Sequence, residues 1–172
     1  MHSRMLDPCT FMRVQTWSSQ VTANQKVELA LGTPWPREAG AIASGRADVL
    51  CLGPTDWLVT AIDFDAKALH QQLEDAFEGS AFRVTNVSQA LARIEVLGLE
   101  ARALLLKGCA LDLHPSRFPP GRCARTRLAA LPTVLRCAGP VNFECIVASS
   151  YQDYLLSWLA DAAEEFLDSR DT

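Results

Sequence analysis

Few side chains in this sequence have the types and spacing that catalysis needs. There are three histidines, and His114 follows an acidic residue, Asp112, by two positions. In an extended segment these two side chains share a face, which would suit an acid/base pair. Pro115 favours extended backbone at the residue before it. A structural hydrogen bond at the entrance to a loop is the other interpretation, and the sequence leaves both open.

The cysteines do not predict a metal or redox site. None of the six forms a C-x-x-C pair or has the paired spacing of a zinc site. No His or acid is recognisably placed to activate a thiolate, and the chain has no Walker loop, G-x-S-x-G or H-E-x-x-H motif. We therefore expect no active site of its own. The cysteines in apolar runs are expected to be small buried hydrophobes: Cys51, Cys123, Cys137 and Cys145.

Charge is distributed unevenly along the chain. No Asp or Glu occurs between Leu113 and Phe143, whereas the C-terminal tail is rich in acids. The two regions can be two solvated faces, or the basic one can be a docking surface, since Arg is enriched at interfaces. The net charge of −4 argues against a nucleic-acid partner. The basic stretch contains Arg117, Arg122, Arg125, Arg127 and Arg136.

A loop within this basic stretch is the candidate partner interface. Phe118, Pro119 and Pro120 lie between Arg117 and Arg122, and an aromatic flanked by Arg is a common hot-spot composition. Prolines lower the entropy lost on docking. Arg125 and Arg127 alternate on a predicted strand, so both project from one face. The alternatives are a loop that folds back on its own core and a strand kept soluble by exposed charge.

The chain has the size and composition of one ordinary domain. It has 172 residues, 49% of them hydrophobic and 21% charged, which excludes a disordered chain. No run approaches the roughly 18–20 apolar residues that span a bilayer, and the N-terminus lacks the apolar segment of a secretory signal. We expect a cytoplasmic protein, without a membrane partner, that has an irregular arm over 1–24 and a single domain over 25–172.

Hydrophobic periodicity predicts an α+β fold with mostly antiparallel sheets and about three helices. Helical spacing of Leu69, Leu73 and Phe77 predicts a helix capped by Asp63 or Asp65. Because strands and helices do not alternate one for one, a doubly wound parallel sheet is excluded. Other helices are predicted over 99–107 and from a capping-box-like start at Ser150. Strands are predicted at 27–31, 48–52, 57–62, 82–87, 91–97, 123–130, 133–137 and 142–148.

Several motifs resemble one known family. The most specific block runs from Lys107 to Pro115 and continues from Arg117 to Thr126. It resembles the gamma subunit of heterotetrameric sarcosine oxidase, whose "LGPDEWL" hairpin is similar to Leu52–Val59. The family's strand–glycine–helix step is similar to residues 95–102, and its C-terminal helix is similar to residues 149–159. The resemblance therefore covers about residues 45–165.

The resemblance implies a function that the residues alone do not. It implies a fold similar to the folate-binding domain of glycine-cleavage aminomethyltransferases. It also implies a non-catalytic, structural role beside alpha, beta and delta subunits in a complex that oxidises sarcosine to glycine, hydrogen peroxide and methylene-tetrahydrofolate. In that family FAD, FMN, NAD, tetrahydrofolate and zinc are held by the other subunits, and none by gamma.

One departure from the family bears on an alternative function. The family and its aminomethyltransferase relatives often have Asp-x-Ser before the strand at Leu91, where this chain has Asn86-Val87-Ser88. The missing carboxylate counts against a stand-alone folate-binding or one-carbon transfer module. Asp112 is the remaining folate-binding candidate. A structural domain that no longer belongs to the complex is the third alternative.

Overall fold

The computed structural model describes residues 2–18, 28–29, 31–62 and 64–168. The chain forms two compact units. The continuous unit is Pro8–Ser88, and the split unit combines Met1–Asp7 with Gln89–Thr172. In chain order the elements are β1 His2–Met5, β2 Thr10–Thr16, β3 Ile42–Ser44, β4 Asp48–Gly53, β5 Asp56–Ala61, α1 Ala66–Ala76, β6 Phe82–Asn86, β7 Leu91–Leu97, α2 Ala101–Leu106, β8 Arg122–Leu128, β9 Leu131–Gly139, β10 Asn142–Ala148, a 3₁₀ turn Ser149–Tyr151, α3 Gln152–Ala163 and α4 Glu165–Asp168.

The continuous unit packs α1 beside a five-stranded antiparallel sheet of order β3-β4-β5-β2-β6. Asp65 caps α1, because its side chain accepts a 2.8 Å hydrogen bond from the Ala68 N–H. Trp35 is at the centre of the core, with its ring centroid 5.5 Å from that of Trp57 and 5.2 Å from that of Phe77. These aromatic contacts join the loop before β3 to the sheet and to the end of α1.

The split unit is built on an antiparallel sheet of order β1-β7-β10-β9-β8. Alternate residues of β7 and β10, such as Ile94 and Cys145, enter a core that also contains Leu104 of α2 and Leu155 and Leu159 of α3. Trp158 and Phe166 pack partly buried against this core. The apolar face of α3 therefore packs against the core, whereas Tyr151, just before the helix, is 42% exposed.

The predicted fold class is confirmed, and the N-terminal predictions are where the structure differs. The arm expected to be irregular contains β1 and β2, while residues 19–24 lie outside the described part. Glu28, Leu29 and Leu31 are helical, so the strand predicted at 27–31 is wrong over these residues; Val27 and Ala30 lie outside the described residues. The single domain predicted over 25–172 has different bounds from either of the two compact units.

The differences have a physical cause. His2 of β1 pairs with Leu97, and β2 lies between β5 and β6, so both strands depend on partners far along the chain. Four of the seven residues of β2 are buried by these partners: Phe11, Met12, Val14 and Thr16. Ser150 does not cap α3 through its side chain; the helix begins after the 3₁₀ turn.

No helix among the described residues is long and apolar enough to cross a membrane.

Candidate functional site

The segment Lys107–Arg122 connects α2 to β8 and contains the most distinctive motif of the sequence. Lys107 binds the C-terminal end of α3, because its Nζ donates to the Ala162 carbonyl at 2.6 Å. The same ammonium is 2.7 Å from a carboxylate oxygen of Glu165 and 4.6 Å from the ring centroid of Phe166. A cation at this position complements the negative end of the helix dipole. Lys107 therefore joins this segment to the last helices.

Gly108 and Cys109 continue the junction. A Cβ on Gly108 would lie 2.6 Å from the Trp158 ring, so only glycine allows the indole to pack this closely. Cys109 is buried, and its Sγ lies 3.3 Å from Thr126 Oγ1. It also forms an antiparallel bridge with Leu128. Lys107, Gly108 and Cys109 thus connect α2, α3 and β8, and the motif has a structural explanation.

Arg102 of α2 fixes the rest of the segment. Its Nη1 donates to the Leu113 carbonyl and, at 3.1 Å, to the Phe118 carbonyl. Its guanidinium lies over the Phe143 ring, 4.8 Å from the centroid, and Nη2 is 3.6 Å from Cys137 Sγ. One side chain therefore satisfies two carbonyls of a loop that has no ladder of its own. No sequence motif indicated this role.

The candidate interface residues do not all lie on the surface. Phe118, a predicted docking residue, is 4% exposed and belongs to the core of the split unit. At this residue the structure adopts the alternative of a loop that folds back on its core, and Arg102 also holds the Phe118 carbonyl. Arg117 and Pro120 are exposed, and Pro119 and Arg122 are half-buried.

Arg125 and Arg127 are both exposed on β8, as their alternation predicts. Arg127 also supports the β8–β9 turn, donating to the Ala130 carbonyl at 2.8 and 3.3 Å. Ala129 and Ala130 have φ of 49° and 67°, a conformation that non-glycine residues rarely adopt and that a two-residue hairpin of this type requires. Arg127 thus stabilises an unfavourable turn, whereas Arg125 extends beside a cavity.

Asp112 and His114 form a local turn. Asp112 Oδ1 accepts the backbone N–H of His114 at 2.9 Å, and His114 Nδ1 lies 2.8 Å from Ser116 Oγ. Both residues are exposed. This is the structural hydrogen bond that the sequence allowed as the alternative to an acid/base pair.

Asn86 and Ser88, at the position of the family's Asp-x-Ser, also bond locally. Asn86 Oδ1 accepts from the Ser88 N–H at 3.0 Å and from the Ser88 hydroxyl at 2.6 Å. Ser88 Oγ in turn accepts the Phe11 N–H at 2.9 Å. The amide oxygen of Asn86 is therefore sufficient as the acceptor in this turn, and the turn fastens the end of β6 to β2.

A cavity of about 320 Å³ opens on the split unit, between the ends of the strands and the start of α3. Its lining is mostly apolar and comes from β7, β8, β9, β10 and the 3₁₀ turn. Arg125 and Tyr151 are its polar members at the mouth. Of the predicted interface residues only Arg125 lines it. The sequence did not indicate the cavity, because its walls come from segments that only strand pairing brings together.

Burial shifts the ionisation of several groups in the split unit. It raises the pKa of the Cys137 thiol, although Arg102 opposes this, and it raises the pKa of the Cys145 thiol well above its usual range. These thiols are neutral and buried, as expected for structural cysteines. Cys51, Cys109 and Cys123 are also buried, so the predicted burial of four cysteines is confirmed.

Comparison with known proteins identifies the family. The family model described as "Sarcosine oxidase, gamma subunit family" matches residues 18–165, which span both units and the whole Lys107–Arg122 segment. This chain belongs to the sarcosine oxidase gamma subunit family. The resemblance drawn from the sequence motifs is therefore confirmed.

Curated members of the gamma subunit family match most of the chain. "Sarcosine oxidase subunit gamma" of Arthrobacter sp is 34% identical over 140 residues, which are 80% of this chain and 68% of the relative. The protein of the same name from Corynebacterium sp. (strain U-96) is 31% identical over 148 residues, 84% of this chain and 71% of the relative. The similarity thus extends over most of this chain and most of each relative.

Solved structures agree with the family assignment. The heterotetrameric sarcosine oxidase of Corynebacterium sp. U-96 contains a chain that superposes with a TM-score of 0.84 at 27% identity, covering 95% of this chain and 84% of that one. Aminomethyltransferase T of the glycine cleavage system from Bartonella henselae superposes with a TM-score of 0.61 at 14% identity, covering 92% of this chain and 45% of that one. The second likeness confirms the aminomethyltransferase-like fold expected for the gamma subunit family.

Proposed function

We propose that this chain is the gamma subunit of a four-subunit sarcosine oxidase, assembled with alpha, beta and delta subunits. The observation that carries the proposal is the superposition on a chain of the heterotetrameric enzyme, with a TM-score of 0.84 over 95% of this chain. Because the likeness spans nearly the whole chain, it favours a shared role over a shared fragment. The complex would oxidise sarcosine to glycine and form hydrogen peroxide and methylene-tetrahydrofolate.

We infer that the role of this chain is structural. The distinctive motif is engaged in internal contacts: Lys107 binds the end of α3, Gly108 packs against Trp158, and two carbonyls of the segment accept hydrogen bonds from Arg102. Such contacts maintain a surface for assembly. The redox and one-carbon chemistry would then belong to the other subunits, which would hold FAD, FMN, NAD, tetrahydrofolate and zinc.

The first test is to isolate the chain with its natural partners. The tagged chain is expressed in its native cell, and the mass and the flavin absorbance of the co-purifying material are measured. We expect a yellow assembly with two larger chains and one smaller chain, which oxidises sarcosine with release of peroxide. The tag attached to an unrelated protein is the control for non-specific capture.

The opposite result is equally informative. A colourless monomer of 18.8 kDa that co-purifies with no flavin would contradict the subunit role. Titration of that monomer with tetrahydrofolate would then test the stand-alone folate-binding module. Saturable binding would favour that module, whereas no binding would leave a structural domain without a folate site.

A further inference from the structure

The connecting segment between α2 and β8 is long for an ordered loop. No helix or sheet strand occurs between Leu106, where α2 ends, and Arg122, where β8 begins. Loops that reach about 12–15 residues without secondary structure are uncommon in compact domains, and ordered ones usually serve a function. The structural junction at 107–109 explains only the first part of the segment, which leaves the loop formed by residues 112–121.

The backbone of this loop is held from the inside of the split unit. Leu113 and Phe118 are buried in the core, and Arg102 donates hydrogen bonds to the carbonyls of both residues. The Gly121 N–H donates to a carbonyl of β9 at 2.9 Å. The prolines of the loop restrict its backbone further. The loop is therefore ordered before any partner binds, which lowers the entropy lost on docking.

The exposed side of the loop carries a cation without a partner in the protein. Arg117 is exposed, and its guanidinium forms no hydrogen bond, ion pair or ring contact with any residue that the structure describes. The other polar side chains of the loop are engaged, Asp112 with the His114 N–H and the His114 ring with the Ser116 hydroxyl. Arg117 is thus the member of the loop that keeps its donors available for a partner.

Arg117 differs in this respect from the other arginines of the basic stretch. Arg122, Arg125 and Arg136 already interact within the chain, and Arg127 supports the β8–β9 turn. The basic stretch itself contains no Asp or Glu. An unpaired guanidinium binds a carboxylate best, through two parallel N–H···O hydrogen bonds. The carboxylate that complements this loop would therefore come from another chain.

We propose that Arg117 binds a carboxylate on the surface of a neighbouring subunit, with the exposed Pro115 and Pro120 in contact around the ion pair. This inference rests on the proposed function, because it names the surface through which the subunit docks. An apolar border that excludes water strengthens an ion pair. The predicted docking loop keeps its role, but its centre moves from Phe118 to Arg117, and Phe118 anchors the loop in the core.

A protein surface fits this loop better than a free anion or a nucleic acid does. Sites for small ligands enclose the ligand and place several polar groups around it, whereas this loop is exposed and offers one unpaired cation beside prolines. The net charge of −4 opposes a nucleic acid. A single arginine on a rigid loop instead matches the pairwise recognition that is typical of interfaces between proteins.

The test measures assembly of the complex with substitutions at Arg117. The tagged chain is co-expressed with the alpha, beta and delta subunits as wild type, Arg117→Gln and Arg117→Glu, and each purified complex is diluted until the tagged chain dissociates. Arg83→Glu is the matched control, since Arg83 is also exposed and without a partner among the described residues, but lies in the continuous unit. The melting temperature of each isolated chain shows whether it folds.

We expect Arg117→Glu to weaken assembly about tenfold or more, because it places two carboxylates together. Arg117→Gln removes the charge without repulsion and should have a smaller effect in the same direction. Added salt should weaken the wild-type complex more than the Arg117→Gln complex, since only the wild type has the ion pair. Arg83→Glu should assemble like wild type, and all isolated chains should melt alike.

Four results would overturn the inference in distinguishable ways. Normal assembly of Arg117→Glu, or an equal loss in Arg83→Glu, would show that this loop is not the docking site, while wild-type assembly would leave the subunit role standing. The same salt dependence in wild type and Arg117→Gln would show that no ion pair forms. Failure of the wild-type chain to assemble would contradict the proposed function as well. A concentration-dependent dimer of the isolated chain that Arg117→Glu abolishes would assign the loop to a second copy.

Discussion

Glu95 of β7 lies directly opposite Glu144 of β10, and the two residues are only 8% and 4% exposed. Like charges in this position destabilise a sheet unless each is neutralised. Arg4 Nε binds Glu95 Oε2 at 2.8 Å, and Asn142 binds the other oxygen at 3.0 Å. Glu144 pairs with Arg93 and, at 3.7 Å, with Arg136. A row of cross-strand neighbours thus crosses four strands, with a positive residue at each end and the two acids between them: Arg4, Glu95, Glu144 and Arg136.

This row makes stability depend on pH. The hydrogen bond from Arg4 lowers the pKa of Glu95 below its ordinary value of 4.5, despite the opposing effect of burial. The ionised carboxylate therefore stabilises the fold above pH 4.5, and this contribution is lost as the pH falls through the lowered pKa. We expect Glu95→Gln to be less stable than wild type at neutral pH, and the difference to shrink under acid conditions.

Urea unfolding between about pH 3 and pH 7 measures this difference. Glu78→Gln is the control, since Glu78 is an exposed acid. A constant difference between Glu95→Gln and wild type across the range would show that Glu95 does not titrate in this way.

Gly108→Ala should disturb the junction between α2, α3 and β8. The added methyl would meet the Trp158 ring at 2.6 Å and the Ala129 nitrogen at 3.0 Å, and overpacking of this kind costs about 1–3 kcal/mol. Gly53→Ala is the matched control, because nothing lies within 4 Å of a Cβ at that position. Thermal unfolding monitored by tryptophan fluorescence would report the change, and equal stability of the two variants would contradict the close packing at Gly108.

Arg102→Lys should loosen the connecting segment while it keeps the charge. A lysine has no planar fork with which to reach the Leu113 and Phe118 carbonyls together. We expect a loss of about 1.5–3 kcal/mol in the free energy of unfolding and faster amide exchange around Phe118. Arg117→Lys, an exposed change in the same segment, should alter neither. Unchanged exchange in Arg102→Lys would mean that other contacts hold the loop.

Phe118→Ala distinguishes a core residue from a docking tip. Because Phe118 is 4% exposed in the core, truncation should lower the free energy of unfolding of the isolated chain by about 3–5 kcal/mol. Arg117→Ala should stay within about 0.5 kcal/mol of wild type. If Phe118→Ala kept its stability and lost only assembly, the interpretation of an exposed loop tip would be restored.

The sequence was informative wherever the signal was local. Three correct predictions each depended on residues only a few positions apart. They are the Asp65 cap, the helical spacing of Leu69 and Leu73, and the alternation in β7. The block from Lys107 to Thr126 was specific enough to indicate the family. Burial of the cysteines followed from the apolar runs around them.

Tertiary structure decided the features that depend on distant partners. β1 and β2 exist because residues dozens of positions away supply their hydrogen bonds. Phe118 packs in the core of the split unit beside a loop whose carbonyls Arg102 satisfies. The cavity forms only when four strands are in register. Composition and periodicity report on the neighbours of a residue along the chain, whereas strand pairing, buried charge rows and cavities are set by which segments meet in space.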